Sequence, residues 1–239
     1  MEILPSIIAD DLFIYLQQYH TFIISDTHIG FEDTLHKKGY LIPQFAFTDF
    51  LVRLERSLRK FQVQGLTHII INGDLVHDFA KISKSVRLQL LKFFSILRKY
   101  GTITIITGNH DSIISSLIDD IPVVSEYICK DILITHGDTL PTSQQMKQSK
   151  IIIIGHEHPA ISLQSGARIE QYKCFLVGTY KKKPLIVMPS CNLVSQGTDV
   201  LQGRFLSPYL PSLHAISNFE VYISADKIYD FGKIKDLQP

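Results

Sequence analysis

The chain has 239 residues, with 24 Lys and Arg against 23 Asp and Glu, a formal net charge of +1, 45% apolar residues, 13 Gly and 10 Pro. This composition excludes a disordered, collagen-like or low-complexity chain and leaves enough residues for a sizeable core. The near-neutral balance excludes a whole-molecule basic field, so any nucleic-acid contact has to come from a local patch.

The opening segment, MEILPSIIADD, has neither the basic stretch nor the apolar stretch of a signal peptide. No apolar run approaches the ~18 to 20 residues of a membrane span, so no membrane association is expected. Cys129, Cys174 and Cys191 are widely spaced and form no C-x-x-C pair, which suits buried thiols in a reducing compartment. A soluble cytoplasmic protein is expected.

Taken in chain order, residues 7–9 and 12–15 read as a hairpin turning at Asp10-Asp11. Short Ile-rich runs come next: FIIS at 22–25, HIIIN at 68–72, TITIIT at 102–107, ILIT at 132–135 and IIII at 151–154. They are continuously apolar rather than alternating, the pattern of parallel strands covered on both faces. Phe47, Phe50, Leu51, Leu54, Leu58 and Phe61 form one helical stripe, with Arg53, Arg56 and Lys60 on the opposite, solvated side. Val86, Leu90, Phe93, Phe94 and Leu97 form a second, closed by Gly101. After Pro159 the texture becomes antiparallel, with strands at 173–177, 185–188, 219–224 and 227–229. These strands and the N-terminal hairpin are expected to share the second sheet. Residues 190–215 read as irregular, a length of loop that often has a functional reason. The expected fold is α/β, two mixed sheets packed face to face with flanking helices, in a single domain over 1–239.

The five Ile-rich runs each lead into residues of metal-ligand type: Asp26-Thr27-His28, Gly73-Asp74, Gly108-Asn109-His110-Asp111, His136-Gly137 and Gly155-His156-Glu157-His158. In an open α/β sheet the carboxyl ends of the strands form one edge, so the motifs converge there. Oxygen and imidazole donors without thiolate suit hard or borderline ions such as Mn, Fe, Zn or Co. The seven side chains Asp26, His28, Asp74, Asn109, His136, His156 and His158 exceed the needs of one four-coordinate zinc. They divide naturally around two ions bridged by a carboxylate. In D-x-H and H-x-H, alternate residues would project to one side of an extended backbone. His20, His36, His68 and His214 lack such context, and His77 could reach the cleft from its place after Asp74. Lys181-Lys182-Lys183, before Pro184, reads as a solvated turn, with a phosphate-backbone contact as the alternative.

The five motifs, in their order and spacing, resemble the signature of the calcineurin-like metallophosphoesterases. Gly73-Asp74-Leu75-Val76-His77, Gly155-His156-Glu157-His158-Pro159 and Leu206-Ser207-Pro208 resemble a small group within it, related to the SbcD nuclease subunit and associated with DEXH helicases. The resemblance implies two divalent ions, manganese ahead of iron, zinc, nickel or cobalt. Asp26, His28, Asp74 and His158 would hold one, and Asp74, Asn109, His136 and His156 the other. His110 would meet the substrate phosphate as acid or charge stabiliser, with Asp111 orienting its ring, while a metal-bridging hydroxide attacks phosphorus. The implied activity is hydrolysis of nucleotide or nucleic-acid phosphodiester bonds, with a DEXH-type helicase as partner. A phosphomonoesterase, a protein phosphatase or a helicase-bound protein with little catalysis of its own are the alternatives. The chain after His158 is expected to leave little room for the capping domain of SbcD-type nucleases.

Overall fold

The computed structural model describes residues 1–41, 45–77, 82–109, 120–166 and 168–237. The first sheet has seven strands in chain order: β1 (Glu2–Leu4), β2 (Ile7–Asp10), β3 (Phe13–Leu16), β4 (Thr21–Ser25), β5 (His68–Asn72), β6 (Thr102–Ile106) and β7 (Val123–Val124). The second contains β8 (Glu126–Cys129), β9 (Ile132–Thr135), β10 (Ile151–Ile154), β11 (Pro159–Ser165), β12 (Arg168–Tyr180), β13 (Lys183–Val187), β14 (Thr198–Asp199), β15 (Glu220–Ser224) and β16 (Ile228–Lys233). Its order is β14-β11-β12-β13-β10-β9-β8, with β15 on β12 and β16 on β15.

Each central Ile run serves two cores. Ile23, Ile70 and Ile106 of the first sheet meet Ile134, Ile153 and Ile186 of the second in the layer between the sheets. Their neighbours Ile24, Ile69, Ile71 and Ile105 face outward, under Phe50, Leu54, Leu58 and Phe61 of α2 (Ala46–Gln62) and Phe93 of α3 (Lys84–Leu97). Both faces are dry, so successive residues are all apolar. Burying each side chain contributes about 1.5 to 3 kcal/mol.

The second sheet's outer face is covered differently. Leu133, Ile152, Ile154, Leu185 and Val187 pack under Val200, Tyr209, Leu210 and Ile216, so the irregular segment after residue 190 replaces helices as their cover. Here its length serves packing.

The N-terminal hairpin differs from expectation in its sheet. Only the short turn at Gln17–Tyr19 separates β3 from β4, so the two pair antiparallel as near neighbours and the hairpin extends the first sheet. Nor is the basic side of α2 simply solvated. Arg53 Nε donates to Asp11 Oδ2 at 2.8 Å and Arg56 Nη2 to the same oxygen at 2.9 Å. Lys60 pairs with Asp10, which also accepts from Ser57 Oγ at 2.7 Å. The hairpin turn is thereby fastened to the helix.

The start of α2 lacks a side-chain cap of its own. Buried Glu32, on α1 (Phe31–Lys37), supplies one by accepting from Ala46 N at 3.0 Å and Phe47 N at 3.2 Å. The last described helix, α4 (Ser143–Gln148), carries a capping box on Thr142 and Gln145. Among the described residues no helix is long and apolar enough to cross a membrane. Cys129, Cys174 and Cys191 are free and buried, as expected.

Candidate metal centre

Register brings the motifs together. In the first sheet Ser25, Asn72 and Ile106 end side by side on β4, β5 and β6. In the second, Thr135, Ile154 and Val187 do so on β9, β10 and β13. The chain then turns abruptly. Asp26, His28, Asp74, His156 and His158 have φ of 51°, 44°, 44°, 63° and 51°, in the left-handed region. This corrects the expectation of extended D-x-H and H-x-H segments. Side chains two apart converge because the backbone curls, at a cost of about 1 to 2 kcal/mol per residue. Backbone bonds between the turns hold the curl: His28 N to Asp74 O at 2.9 Å, Gly73 N to Ile106 O at 2.9 Å and Gly155 N to His136 O at 2.8 Å.

Two triads result. Asp26, His28 and His158 form one and Asp74, His136 and His156 the other, each with donor atoms within 4.8 Å of one another. In the first, His158 Nε2 lies 3.2 Å from Asp26 Oδ1 and 3.4 Å from His28 Nε2. In the second, His136 Nε2 lies 3.1 Å from His156 Nδ1 and 3.0 Å from Asn109 Oδ1. Asp74 stands between them, with Oδ2 3.7 Å from His28 Nε2 and Oδ1 3.6 Å from His136 Nε2. All seven expected donors are gathered in one place. His110 and Asp111 lie outside the described residues. His77 sits beside the first triad, its ring centroid 5.6 Å from that of His28.

The electrostatics suit cations. Burial alone would raise the Asp26 carboxyl, but the imidazoles of His158, His136 and His28 hold it below the usual carboxylate range. Burial, then the neighbouring His136, pushes His156 down to about 4, leaving a neutral ring with a lone pair to offer. His136 Nδ1 is buried with no hydrogen-bond partner among the described residues. Convergent imidazole nitrogens around two carboxylates are a donor set that fits divalent ions of the Mn, Fe or Zn kind. The glycines leave room for this closeness. A Cβ on Gly108 would fall 2.2 Å from Asp74 Oδ1, and one on Gly155 would fall 2.3 Å from Asp26 Oδ2.

Several supporting residues escape the motifs. Asp26 Oδ2 accepts from Ser25 Oγ at 2.5 Å and His156 N at 3.1 Å, which turns Oδ1 toward the histidines. Ser190 Oγ donates to the Asp26 carbonyl at 2.7 Å, and Lys173 Nζ donates to the Ser190 carbonyl at 2.9 Å. Glu157, fully buried between two candidate ligands, accepts from Leu206 N and Ser207 N at 2.8 Å each. Burial raises its carboxyl against the lowering effect of those two donors. Ser207 Oγ in turn donates to Gly137 O at 2.7 Å. The Leu206-Ser207-Pro208 segment is thus tied to both ligand-bearing turns of the second sheet. Ser25 precedes Asp26 in sequence and could have been noticed; nothing local marks Ser190 or Lys173.

The model of the calcineurin-like phosphoesterase family matches residues 19–171, more than half the chain and every one of the seven donors. The chain belongs to the calcineurin-like phosphoesterases. Metal-dependent hydrolysis of phosphate esters is therefore its chemistry. Among solved structures, nuclease MPE from Pseudomonas putida shares this fold over 92% of each chain, with 20% identity and a TM-score of 0.63. Vacuolar Protein Sorting 29 from Cryptosporidium parvum is 14% identical over 89% of this chain and 97% of its own, with a TM-score of 0.38. No curated protein matches the chain.

Proposed function

We propose that this calcineurin-like phosphoesterase uses two divalent ions, manganese foremost, to hydrolyse nucleotide or nucleic-acid phosphodiester bonds. The observation that carries the two-ion reading is Asp74, whose two oxygens face different triads at 3.7 and 3.6 Å. Asp26, His28 and His158 would hold one ion with Asp74; His136, His156 and Asn109 would hold the other. Ions bound there supply Lewis acidity that neutralises charge on the phosphoryl oxygens. The chain's own part is to present imidazoles and carboxylates aimed at one point, with Asp26 held by Ser25 and Ser190 and the turn between His156 and His158 fastened through Glu157.

The diester reading takes support from the motif resemblance, and the shared fold of a Pseudomonas putida nuclease makes nucleic acid the first substrate to try. His110, next to Asn109, is assigned the proton donor's place, and Asp111 the task of orienting it. The test is hydrolysis of bis-p-nitrophenyl phosphate, p-nitrophenyl phosphate, cyclic nucleotides and labelled DNA and RNA, each with Mn, Mg, Ni and Zn. Diester turnover greatest with Mn is expected; a strong preference for the monoester would overturn the reading. His110→Ala should keep both ions while turnover on a nucleotide diester falls by about 10² to 10⁴. Aryl esters, whose leaving groups need no proton, should lose less.

A further inference from the structure

The end of the sandwich opposite the metal centre also carries organised chemistry. Because β9, β10 and β13 run parallel, their amino ends lie together one strand length, about 15 Å, from the triads. Lys130, Lys150 and Lys181 to Lys183 sit at these ends. Lys150 N donates to Asp131 O at 2.6 Å, which sets Lys150 beside the exposed Lys130. Lys183 Nζ donates to the carbonyl of Ser149, and Lys181 and Lys182 form an exposed turn. Asp131 is engaged, by Lys150 at 3.0 Å and by Tyr19 Oη at 2.9 Å. In a chain of net charge +1 this is a concentrated positive region.

Beside these lysines, a cleft of about 430 Å³ opens between the sheets, lined by Tyr19, His20, His68, Tyr127 and Lys130 among others. His68 Nε2 lies 2.9 Å from Thr104 Oγ1, and the His68 ring stands 5.3 Å from that of Tyr127. Burial lowers the His68 pKa, so that ring is a neutral, flat surface. Lysines alone would suit any polyanion. Lysines bordering an aromatic cleft suit a polymer that alternates phosphates with flat rings. A duplex hides its base faces by stacking, and a peptide of Asp and Glu offers no aromatic ring to the cleft.

We propose that this end of the molecule docks single-stranded nucleic acid, phosphates on Lys130, Lys150 and Lys181 and a base in the Tyr19–His68–Tyr127 cleft. The proposal rests on the nucleic-acid reading of the substrate and gives that substrate a holding surface apart from the metals. A strand anchored there would need to pass around the sandwich to reach the triads, so docking favours long strands over nucleotides.

The test is fluorescence anisotropy of the metal-loaded full chain with a labelled phosphorothioate deoxythymidine oligomer of about twenty nucleotides, longer than the ~4 to 16 that one single-strand site covers. Lys130→Glu/Lys181→Glu/Lys182→Glu changes exposed residues whose left-handed backbone Glu adopts no less readily than Lys. It should weaken binding about tenfold or more and flatten the salt dependence by about two logarithmic units per decade, near 0.7 for each phosphate no longer neutralised. Tyr127→Ala should weaken binding about fivefold or more, and Tyr127→Phe should restore it. Turnover of bis-p-nitrophenyl phosphate should stay unchanged in all three variants. Wild-type affinity and salt slope in the lysine variant would overturn the proposal, as would equally tight binding of polyglutamate. A wild-type chain that binds the oligomer but hydrolyses no diester would overturn the enzymatic reading instead, leaving the docking surface standing.

Discussion

Asp74 and Asp26 look equivalent in sequence, each an acid close after a strand, yet their surroundings give them different tasks. Asp74 offers one oxygen to each triad, whereas Asp26 has one oxygen tied to Ser25 and the His156 backbone and only the other facing histidines. Asp74→Ala should therefore lower occupancy of both sites, and Asp26→Ala mainly one, as read by elemental analysis and calorimetric titration with Mn. One ion per fully active chain would count against the two-ion assignment. His156 makes a separate prediction through pH. Its pKa falls from 6.5 to about 4 on folding, so between those values the unfolded chain binds the extra proton. In the metal-free protein this contribution is fully present above about 6.5 and is lost as pH falls toward 4. Thermal unfolding in chelator should show Tm dropping across that window, and His156→Gln should flatten the drop.

At the level of elements, charged residues join parts that hydrophobic patterning would leave independent. Asp11, 4% exposed in its side chain, receives two arginines from α2 and binds the β2–β3 turn to that helix. Removing the acid leaves Arg53, 31% exposed, without its partner. Asp11→Ala should cost about 1.5 to 3 kcal/mol in urea unfolding, the range for hydrogen bonds to charged groups. The antiparallel register of β3 and β4 sets this turn beside the strand end that carries Asp26, so metal content should be measured on the same variant. A loss below ~0.5 kcal/mol would mean that the arginines are satisfied by water.

The whole molecule is two sheets meeting at a shared Ile layer, and the candidate ligands come from both: Asp26, His28, Asp74 and Asn109 from the first, His136, His156 and His158 from the second. Ions bound there would join the sheets as well as serve chemistry. Each site saturated at a hundredfold excess over its Kd adds about 2.7 kcal/mol. Chelation should accordingly lower Tm by several degrees in scanning calorimetry, and Mn should restore it. Insensitivity of Tm to chelator would show that the native state binds no ion tightly. Ile153→Ala, within the shared layer, should cost about 2 to 5 kcal/mol and also weaken metal binding by loosening one sheet against the other.

The strand-end motifs and both helical stripes were legible in the sequence because each depends on local order: an apolar run fixes a strand, and the residues just after it land on one edge. All seven candidate donors lie on these motifs and come together in the fold, and Ile69 to Ile71 announced two dry faces. Other features depend on residues far apart in the chain. That β3 lies beside β4 rather than with the C-terminal strands is a matter of pairing. The backbone curl at Asp26 and His156 is held by hydrogen bonds between turns far apart in the chain, Asp26 N to Gly73 O and His156 N to Asp26 Oδ2. Ser190, Lys173 and Glu157 acquire their tasks only when residues 190–207 fold over the second sheet, since a lone Ser or Lys carries no period or spacing to read. Local sequence specified which atoms could bind; the distances between them, and the polar groups that orient them, were decided by tertiary packing, where each backbone donor and each buried charge had to find a partner.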